Sequence, residues 1–152
     1  MNEQLTVSME RHGMKGQDTC RRVVVTGMGL VSPLGVGVEL SWRRLLAGAS
    51  GLRVLPPALT EGVPTKVAGS VPDAAVDPEG GWDATRVVSS KELRKMDRFI
   101  PFALAAADQA LSQAGWHPQG LPGAERTAMV IASGIGGLGA IADAVRTTEG
   151  RP

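Results

Sequence analysis

The chain has 152 residues, 43% of them hydrophobic, and a formal net charge of +1. This length predicts one globular domain or a part of one, and the near-neutral charge gives no general attraction to nucleic acids or other polyanions. Cys20 is the only cysteine, which excludes an internal disulfide framework and a cysteine-based metal site, and no apolar run is long enough to span a membrane.

Residues 1–20 are polar and of mixed charge, and no apolar region follows their early basic residues. They therefore do not resemble a secretory signal, and we expect a flexible N-terminal extension. Cys20 and His12 lie within it. We expect neither to be functional, because a reactive thiol needs an electropositive environment, usually at a helix N-terminus.

Two strands are predicted near the two ends of the remaining chain. Residues 23–25 are three consecutive valines, a pattern typical of a strand buried on both faces. Gly27 and Gly29 follow and are interpreted as the residues that end it. Residues 127–132 predict a second buried strand. We expect both strands to lie in one central sheet.

A helix is predicted over residues 38–47, with Gly48 as its C-terminal stop. Its apolar side chains recur at positions i, i+3 and i+4, which is typical of an amphipathic helix. We expect core packing for Trp42 and a solvated face for two consecutive arginines. The apolar residues are Trp42, Leu45 and Leu46, and the arginines are Arg43 and Arg44.

Loops are predicted where proline and glycine cluster, over residues 52–64, 72–84 and 116–126. Residues 65–71 favour a short strand, at a sheet edge because Gly69 and Pro72 weaken it. His117, in the last loop, is interpreted as a surface residue.

The longest periodic segment covers residues 89–115. Ser89 and Glu92 have the spacing of a capping box, which predicts a helix start. Pro101 is unfavourable inside a helix, so we expect a short helix, a kink and then a longer helix. An apolar face and a cationic face are predicted on opposite sides. The apolar face comprises Leu93, Met96, Ile100, Ala103, Ala107, Leu111 and Ala114, and the cationic one Lys91, Arg94, Lys95 and Arg98.

The order of strands and helices predicts an α/β fold with a parallel or mixed sheet. Gly27 and Gly29 also invite a dinucleotide-binding hypothesis, but Ser32 stands where the third glycine of that motif is expected. No acidic residue occurs at the expected offset, and no G-K-[ST] follows a glycine run. A dinucleotide-binding α/β domain therefore remains a minor alternative.

Two further features have alternative interpretations. Ser133 lies among glycines but lacks the flanking pattern of a nucleophile elbow, so we interpret it as a turn residue. Ile135, held between glycines, either packs in the interior or lines an apolar ligand pocket. The four cations of residues 91–98 either form a solvated face or dock an acidic partner.

Four blocks in this order identify a family. They read R-V-V-V-T-G-M-G-L-V-S-P-L-G, L-S-W-R-R-L-L-A-G-A-S-G, K-E-L-R-K-M-D-R-F and A-S-G-I-G-G-L-G, between residues 21 and 140. Together they resemble the N-terminal portion of the β-ketoacyl-acyl-carrier-protein synthases, and most of all synthase II of bacterial fatty-acid synthesis.

The resemblance implies a fold and an activity. The fold would be the incomplete N-terminal half of a thiolase-like layered αβαβα arrangement with a mixed sheet. The activity would be that of a 3-oxoacyl-acyl-carrier-protein synthase, which performs a decarboxylating Claisen condensation with malonyl-acyl carrier protein. It also implies acyl- and malonyl-loaded carrier proteins as partners, a homodimer in the full-length family, a cytoplasmic location, and no cofactor or metal.

The resemblance also assigns site residues. Lys91, Arg94 and Lys95 match positions that meet the acidic carrier protein, and Ile135 matches the residue that gates the acyl-chain pocket. The catalytic cysteine and two histidines of the family match nothing here. We therefore expect residues 21–152 to be a partial synthase domain, truncated before the nucleophile and inactive alone. A non-catalytic module that binds carrier protein is the alternative.

Overall fold

The computed structural model describes residues 22–150. This part of the chain contains both helices and short strands, which confirms its mixed α/β character. The strands are β1 (Val31–Ser32), β2 (Gly35–Val36), β3 (Leu52–Val54) and β4 (Val67–Gly69). The helices are α1 (Val38–Leu46), α2 (Pro57–Thr60), α3 (Ser90–Leu93), α4 (Phe99–Ala114), α5 (Leu121–Glu125) and α6 (Leu138–Glu149), with a 3₁₀ turn at Ala84–Arg86.

The described strands form two separate antiparallel pairs. In the first, β1 and β2 form a tight hairpin. In the second, β3 pairs with β4, with Leu52 opposite Gly69 and Val54 opposite Val67. The short strand predicted within residues 65–71 is therefore confirmed. Its partner β3, and helix α2, lie within residues 52–64, where the loop prediction was wrong.

The predicted central sheet is absent from residues 22–150. Neither residues 23–25 nor residues 127–132 form a strand, and the side chains of Val23 and Val130 are 93% and 91% exposed. A strand is stable only when neighbouring backbones pair with its N–H and C=O groups. The β-branched residues favour an extended backbone but do not by themselves provide a neighbouring strand. The prediction of two buried, sheet-forming strands is therefore wrong for this structure.

Gly27 and Gly29 contact a helix instead of ending a strand. A Cβ atom built on Gly27 would overlap the carbonyl oxygen of Ala110, and one built on Gly29 would overlap that of Ala106. Both alanines belong to α4. Only a residue without a side chain allows the backbone to lie this close to the helix.

Two glutamines of α4 hold the same extended segment by its backbone. Met28 donates its N–H to Oε1 of Gln113 at 2.6 Å, and Leu30 donates its N–H to Oε1 of Gln109 at 3.1 Å. These bonds satisfy backbone donors that a neighbouring strand would otherwise satisfy. Side chains of α4 thus replace a sheet neighbour for this segment.

Helix α1 forms where its periodicity predicts, and Gly48 follows it in the left-handed conformation with φ +73°. Its apolar face is not covered, however. Trp42 is 56% exposed, and Leu45 and Leu46 are also exposed. Core packing of Trp42 was therefore a wrong prediction, because no described element covers this face of α1.

The two arginines of α1 differ. Arg43 is exposed, as predicted, and pairs with Glu79 at the surface. The side chain of Arg44 is only 23% exposed and pairs with Asp77, so the solvated position predicted for it is wrong. The reason is that residues 72–84 fold back over the end of α1.

The described core is small and lies between residues 72–84 and α4. Its buried apolar residues are Trp82, Val88 and Ala105. The ring of Trp82 meets that of Phe102 edge to face, with 4.9 Å between centroids, a favourable aromatic geometry. The loop prediction for residues 72–84 holds, and this loop supplies the central core side chain.

The helix pair α3 and α4 confirms the predicted break. Pro101 lies in the first turn of α4, where a missing N–H breaks no helical hydrogen bond, and it is buried. The seven residues of the predicted apolar face are all half-buried. In the loop predicted over residues 116–126, α5 is an additional short helix. No helix within residues 22–150 is long and apolar enough to cross a membrane.

Candidate functional site

The cationic face, defined as Lys91, Arg94, Lys95 and Arg98, lies on α3 and on the turn that joins it to α4. Helix α3 is capped by Ser89 as predicted, but only the Ser89 half of the predicted capping box forms. The hydroxyl oxygen of Ser89 accepts the N–H of Glu92 at 3.4 Å and donates to Oε2 of Glu92 at 2.6 Å. This cap fixes the direction in which the short helix leaves the loop.

All four residues of the cationic face are exposed. Among residues 22–150, no carboxylate lies within 4.0 Å of Lys91, Arg94 or Lys95. Arg98 is anchored at its edge, with its guanidinium carbon 5.5 Å from the Phe102 ring centroid and an N–H donated to the Val71 carbonyl at 3.4 Å. The face thus presents positive charge that no ion pair within the described chain neutralises.

The two acidic residues of this segment do not neutralise the face. Glu92 is engaged by the Ser89 hydroxyl. Asp97 is half-buried and lies against the glycine-rich turn before α6. The carboxylates are therefore occupied elsewhere, although the segment alternates charge in sequence.

Ile135 lies in the turn of residues 133–137, which leads into α6. The Ser133 hydroxyl oxygen accepts the N–H of Gly136 at 3.1 Å, which confirms Ser133 as a turn residue. Gly136 has φ +74°, a conformation that favours glycine. The Ile135 side chain is 75% exposed, so the described chain does not bury it in a core.

One contact brings the cationic segment and the Ile135 turn together. A Cβ atom built on Gly137 would overlap the carboxylate oxygen Oδ2 of Asp97. Sequence reasoning missed this role of Asp97 because residues 40 positions apart give no local pattern. In the sequence, the pair of glycines at 136 and 137 was the nearest indication that another residue approaches the backbone there.

A cavity of about 650 Å³ lies behind the cationic face. Leu93, Met96 and Arg98 line one side of it, and Trp82 and Asp83 line the other. Hydrogen bonds from the Thr85 hydroxyl and backbone N–H lower the pKa of Asp83, so this carboxylate is charged at neutral pH. The cavity is mixed in character, with an apolar wall and charged groups at its rim.

The alternative hypotheses of the sequence can be compared with this geometry. The space beside Gly27 and Gly29 is filled by the backbone of α4, so a pyrophosphate cannot approach there. Within the described part of the chain, no three His, Cys, Asp or Glu side chains are grouped to hold a metal ion. His117 is exposed, whereas Cys20 and His12 fall outside the described residues.

Proteins of similar sequence occur in several organisms. Over 124 residues, 82% of this chain, the sequence is 46% identical to 3-oxoacyl-[acyl-carrier-protein] synthase 2 of Rhizobium meliloti (strain 1021), covering 29% of that relative. It is 44% identical over 118 residues to the synthase 2 of Vibrio cholerae, covering 78% of this chain and 26% of that relative. The chain thus spans less than a third of the length of these relatives.

A solved structure is also similar. The ishigamide ketosynthase/chain length factor superposes with a TM-score of 0.52 at 37% sequence identity, covering 64% of this chain and 22% of that one. The family described as "Beta-ketoacyl synthase, N-terminal domain" matches residues 20–151, nearly the whole sequence. The chain therefore belongs to the β-ketoacyl synthase family, within its N-terminal domain.

Proposed function

We propose that this chain is part of a 3-oxoacyl-acyl-carrier-protein synthase of fatty-acid elongation. The proposed reaction joins an enzyme-bound acyl thioester to malonyl-acyl carrier protein. Loss of CO₂ leaves a carbanion that attacks the acyl carbonyl carbon, a C–C bond forms, and the enzyme thiolate leaves. The similarity to synthase 2 over the N-terminal region supports this proposal.

The cationic face would perform the docking step. Its exposed, unpaired charges attract an acidic carrier protein over a distance, which raises the rate of encounter more than the lifetime of the complex. The contribution depends on salt, because the Debye length is only about 10 Å at 0.1 M ionic strength. The observation that carries the proposal is the lack of carboxylates near Lys91, Arg94 and Lys95 in the described chain.

Ile135 would act on the acyl chain. A turn built of glycines can change its backbone conformation at low steric cost, so an apolar side chain carried on it suits a residue that opens or closes an apolar pocket. Its exposure leaves the side chain free for such a role. The pocket itself would be completed by the remainder of a synthase.

The other implications of the family form part of the same proposal. They are the thiolase-like layered αβαβα fold, a dimer, a cytoplasmic location, and catalytic cysteine and histidine residues that these 152 residues do not supply. The uncovered apolar side chains of α1 and of residues 23–25 support the layered fold, because burial of such surfaces is favourable.

Docking can be tested on the chain itself. Fluorescence anisotropy of a labelled acyl carrier protein, titrated with the 152-residue chain, measures the dissociation constant at low and high salt. The triple variant Lys91→Glu, Arg94→Glu, Lys95→Glu should bind at least about 10-fold more weakly, since like charges then face the carrier. The matched control Arg22→Glu, Arg53→Glu, Arg126→Glu makes the same change in net charge at exposed positions elsewhere.

Equal weakening by both triple variants would show that only net charge matters and would contradict the docking face. Catalysis needs a second experiment, in which residues 22–150 replace the matching region of the Rhizobium meliloti synthase. Condensing activity of this chimera supports the enzymatic role. A chimera that folds and binds carrier protein but forms no 3-oxoacyl product would favour the non-catalytic module.

A further inference from the structure

Asp97 lies at the junction between two parts of the proposed site. In sequence it stands between Lys95 and Arg98 of the cationic face, but its side chain is half-buried and lies against Gly137. There Oδ2 contacts the α-carbon of Gly137, leaving no space for a Cβ atom. The docking segment, residues 91–98 with the cationic face, is therefore in direct contact with the turn of residues 133–137 that carries Ile135.

The contact between Asp97 and Gly137 also places a carboxylate near the N-terminal end of helix α6. Helix α6 has 12 residues, and its N-cap, Gly137, provides no side chain to accept a hydrogen bond from the first turn. The N-terminal end of a helix carries partial positive charge, which a nearby carboxylate stabilises. Oδ1 of Asp97 lies 3.8 Å from a Cβ atom built on Gly139, so the carboxylate faces this first turn.

The docking segment is held on its other side as well. Arg98, the residue after Asp97, contacts Phe102 and the Val71 carbonyl, and Phe102 packs on the core residue Trp82. A displacement of the segment therefore cannot be absorbed at Arg98 alone. It also changes the fit between Asp97 and Gly137, because Oδ2 of Asp97 fills the space beside the Gly137 backbone.

We propose that Asp97 is a positioning residue that couples the cationic face to the Ile135 turn. Binding of an acidic carrier protein to the face presses Asp97 onto Gly137 and restricts the turn, so docking and acyl-chain selection become linked. The inference rests on the proposed function for the identity of the partner. The Asp97–Gly137 contact itself does not depend on it.

Hydrogen–deuterium exchange of residues 133–140 in the 152-residue chain tests the coupling. Saturating acyl carrier protein should slow exchange in this turn by about fivefold, the lower end of typical coupling between sites. In Asp97→Asn the carrier should still bind, but the slowing should be lost. Asp108→Asn, a neutralised exposed aspartate on α4, is the matched control and should behave as the wild type.

The outcomes separate the two proposals. If carrier protein binds but exchange in the turn does not change, or if Asp97→Asn retains the full slowing, the coupling is wrong and docking stands. If carrier protein does not bind the wild-type chain, docking is wrong. The positioning role is then decided in the free chain, where Asp97→Asn should accelerate exchange of residues 137–140 and Asp108→Asn should not. Equal exchange in both variants would overturn it.

Discussion

The Arg44 guanidinium and the Asp77 carboxylate form a two-point ion pair that joins α1 to the loop carrying Trp82. Nη2 of Arg44 lies 3.0 Å from Oδ1 of Asp77, and Nη1 also donates to the Leu34 carbonyl at 2.8 Å. Oδ1 of Asp77 accepts the N–H of Gly80 at 3.1 Å. The Asp77 side chain is only 14% exposed, so this pair is part of the fold and not a surface contact.

The first prediction concerns acid stability. The hydrogen bond from Arg44 lowers the pKa of Asp77 from 3.8 to about 2. The pKa of Asp77 is lower in the folded state than in the unfolded state. The stabilisation that its ion pair gives to the fold is therefore fully present above pH 3.8 and is lost as the pH falls toward 2. Urea unfolding at a series of pH values should therefore show a falling midpoint below pH 3.8. In Asp77→Asn this fall should be much smaller, and the midpoint at neutral pH should be lower.

The control for this experiment is Asp108→Asn, which removes an exposed carboxylate and should retain the acid-dependent fall. An Asp77→Asn variant with an unchanged pH profile would show that the ion pair contributes nothing to folding.

The second prediction concerns the contact between residue 29 and α4. In Gly29→Ala the added methyl group would meet the carbonyl oxygen of Ala106 and lie 2.9 Å from its α-carbon. Overpacking of this kind costs about 1–3 kcal/mol of unfolding free energy. Urea unfolding followed by tryptophan fluorescence measures it. Gly134→Ala is the matched control, because no atom lies within 4 Å of the added group. Similar losses in both variants would contradict the close approach.

The third prediction concerns the acyl chain. In the chimera with the Rhizobium meliloti synthase, Ile135→Phe should lower kcat/KM for long acyl substrates by about 10-fold and leave short ones nearly unchanged, since a larger side chain shortens an apolar pocket. Mass spectrometry of the 3-oxoacyl products at several chain lengths provides the measurement. Ile141→Phe, an exposed position on α6, is the control. An unaltered chain-length profile in Ile135→Phe would remove Ile135 from the pocket.

Features that depend on near neighbours were predictable from the sequence. The helix cap needs only Ser89 and Glu92, three positions apart, and the Ser89 hydroxyl accepts the Glu92 N–H as expected. The Glu92 carboxylate, however, accepts from the Ser89 hydroxyl and not from the Ser89 backbone N–H. Helix α1 and the break before Pro101 likewise follow from local periodicity and from proline geometry. The exposure of the cationic face was also expected, although only Lys91 lies in a helix, and the other three cations lie in the turn between α3 and α4.

Features that depend on distant partners were not predictable. Arg44 looks like a surface arginine until Asp77, 33 positions later, folds over it. Val23 and its neighbours look like a central strand, but composition cannot supply the adjacent strand that the backbone needs. Asp97 meets Gly137 across 40 positions, and neither residue has a local signature. The candidate site was thus predictable as two separate patches, whereas their contact was not.

The carbonyl oxygens of Ala106 and Ala110 face Gly29 and Gly27 directly, and a carbonyl is identical in every residue type. A genetic screen for suppressors of Gly29→Ala should therefore return no compensating substitution at position 106, since no smaller side chain there moves the oxygen. Revertants should restore glycine at position 29 itself, or change residues that set the spacing of the whole helix.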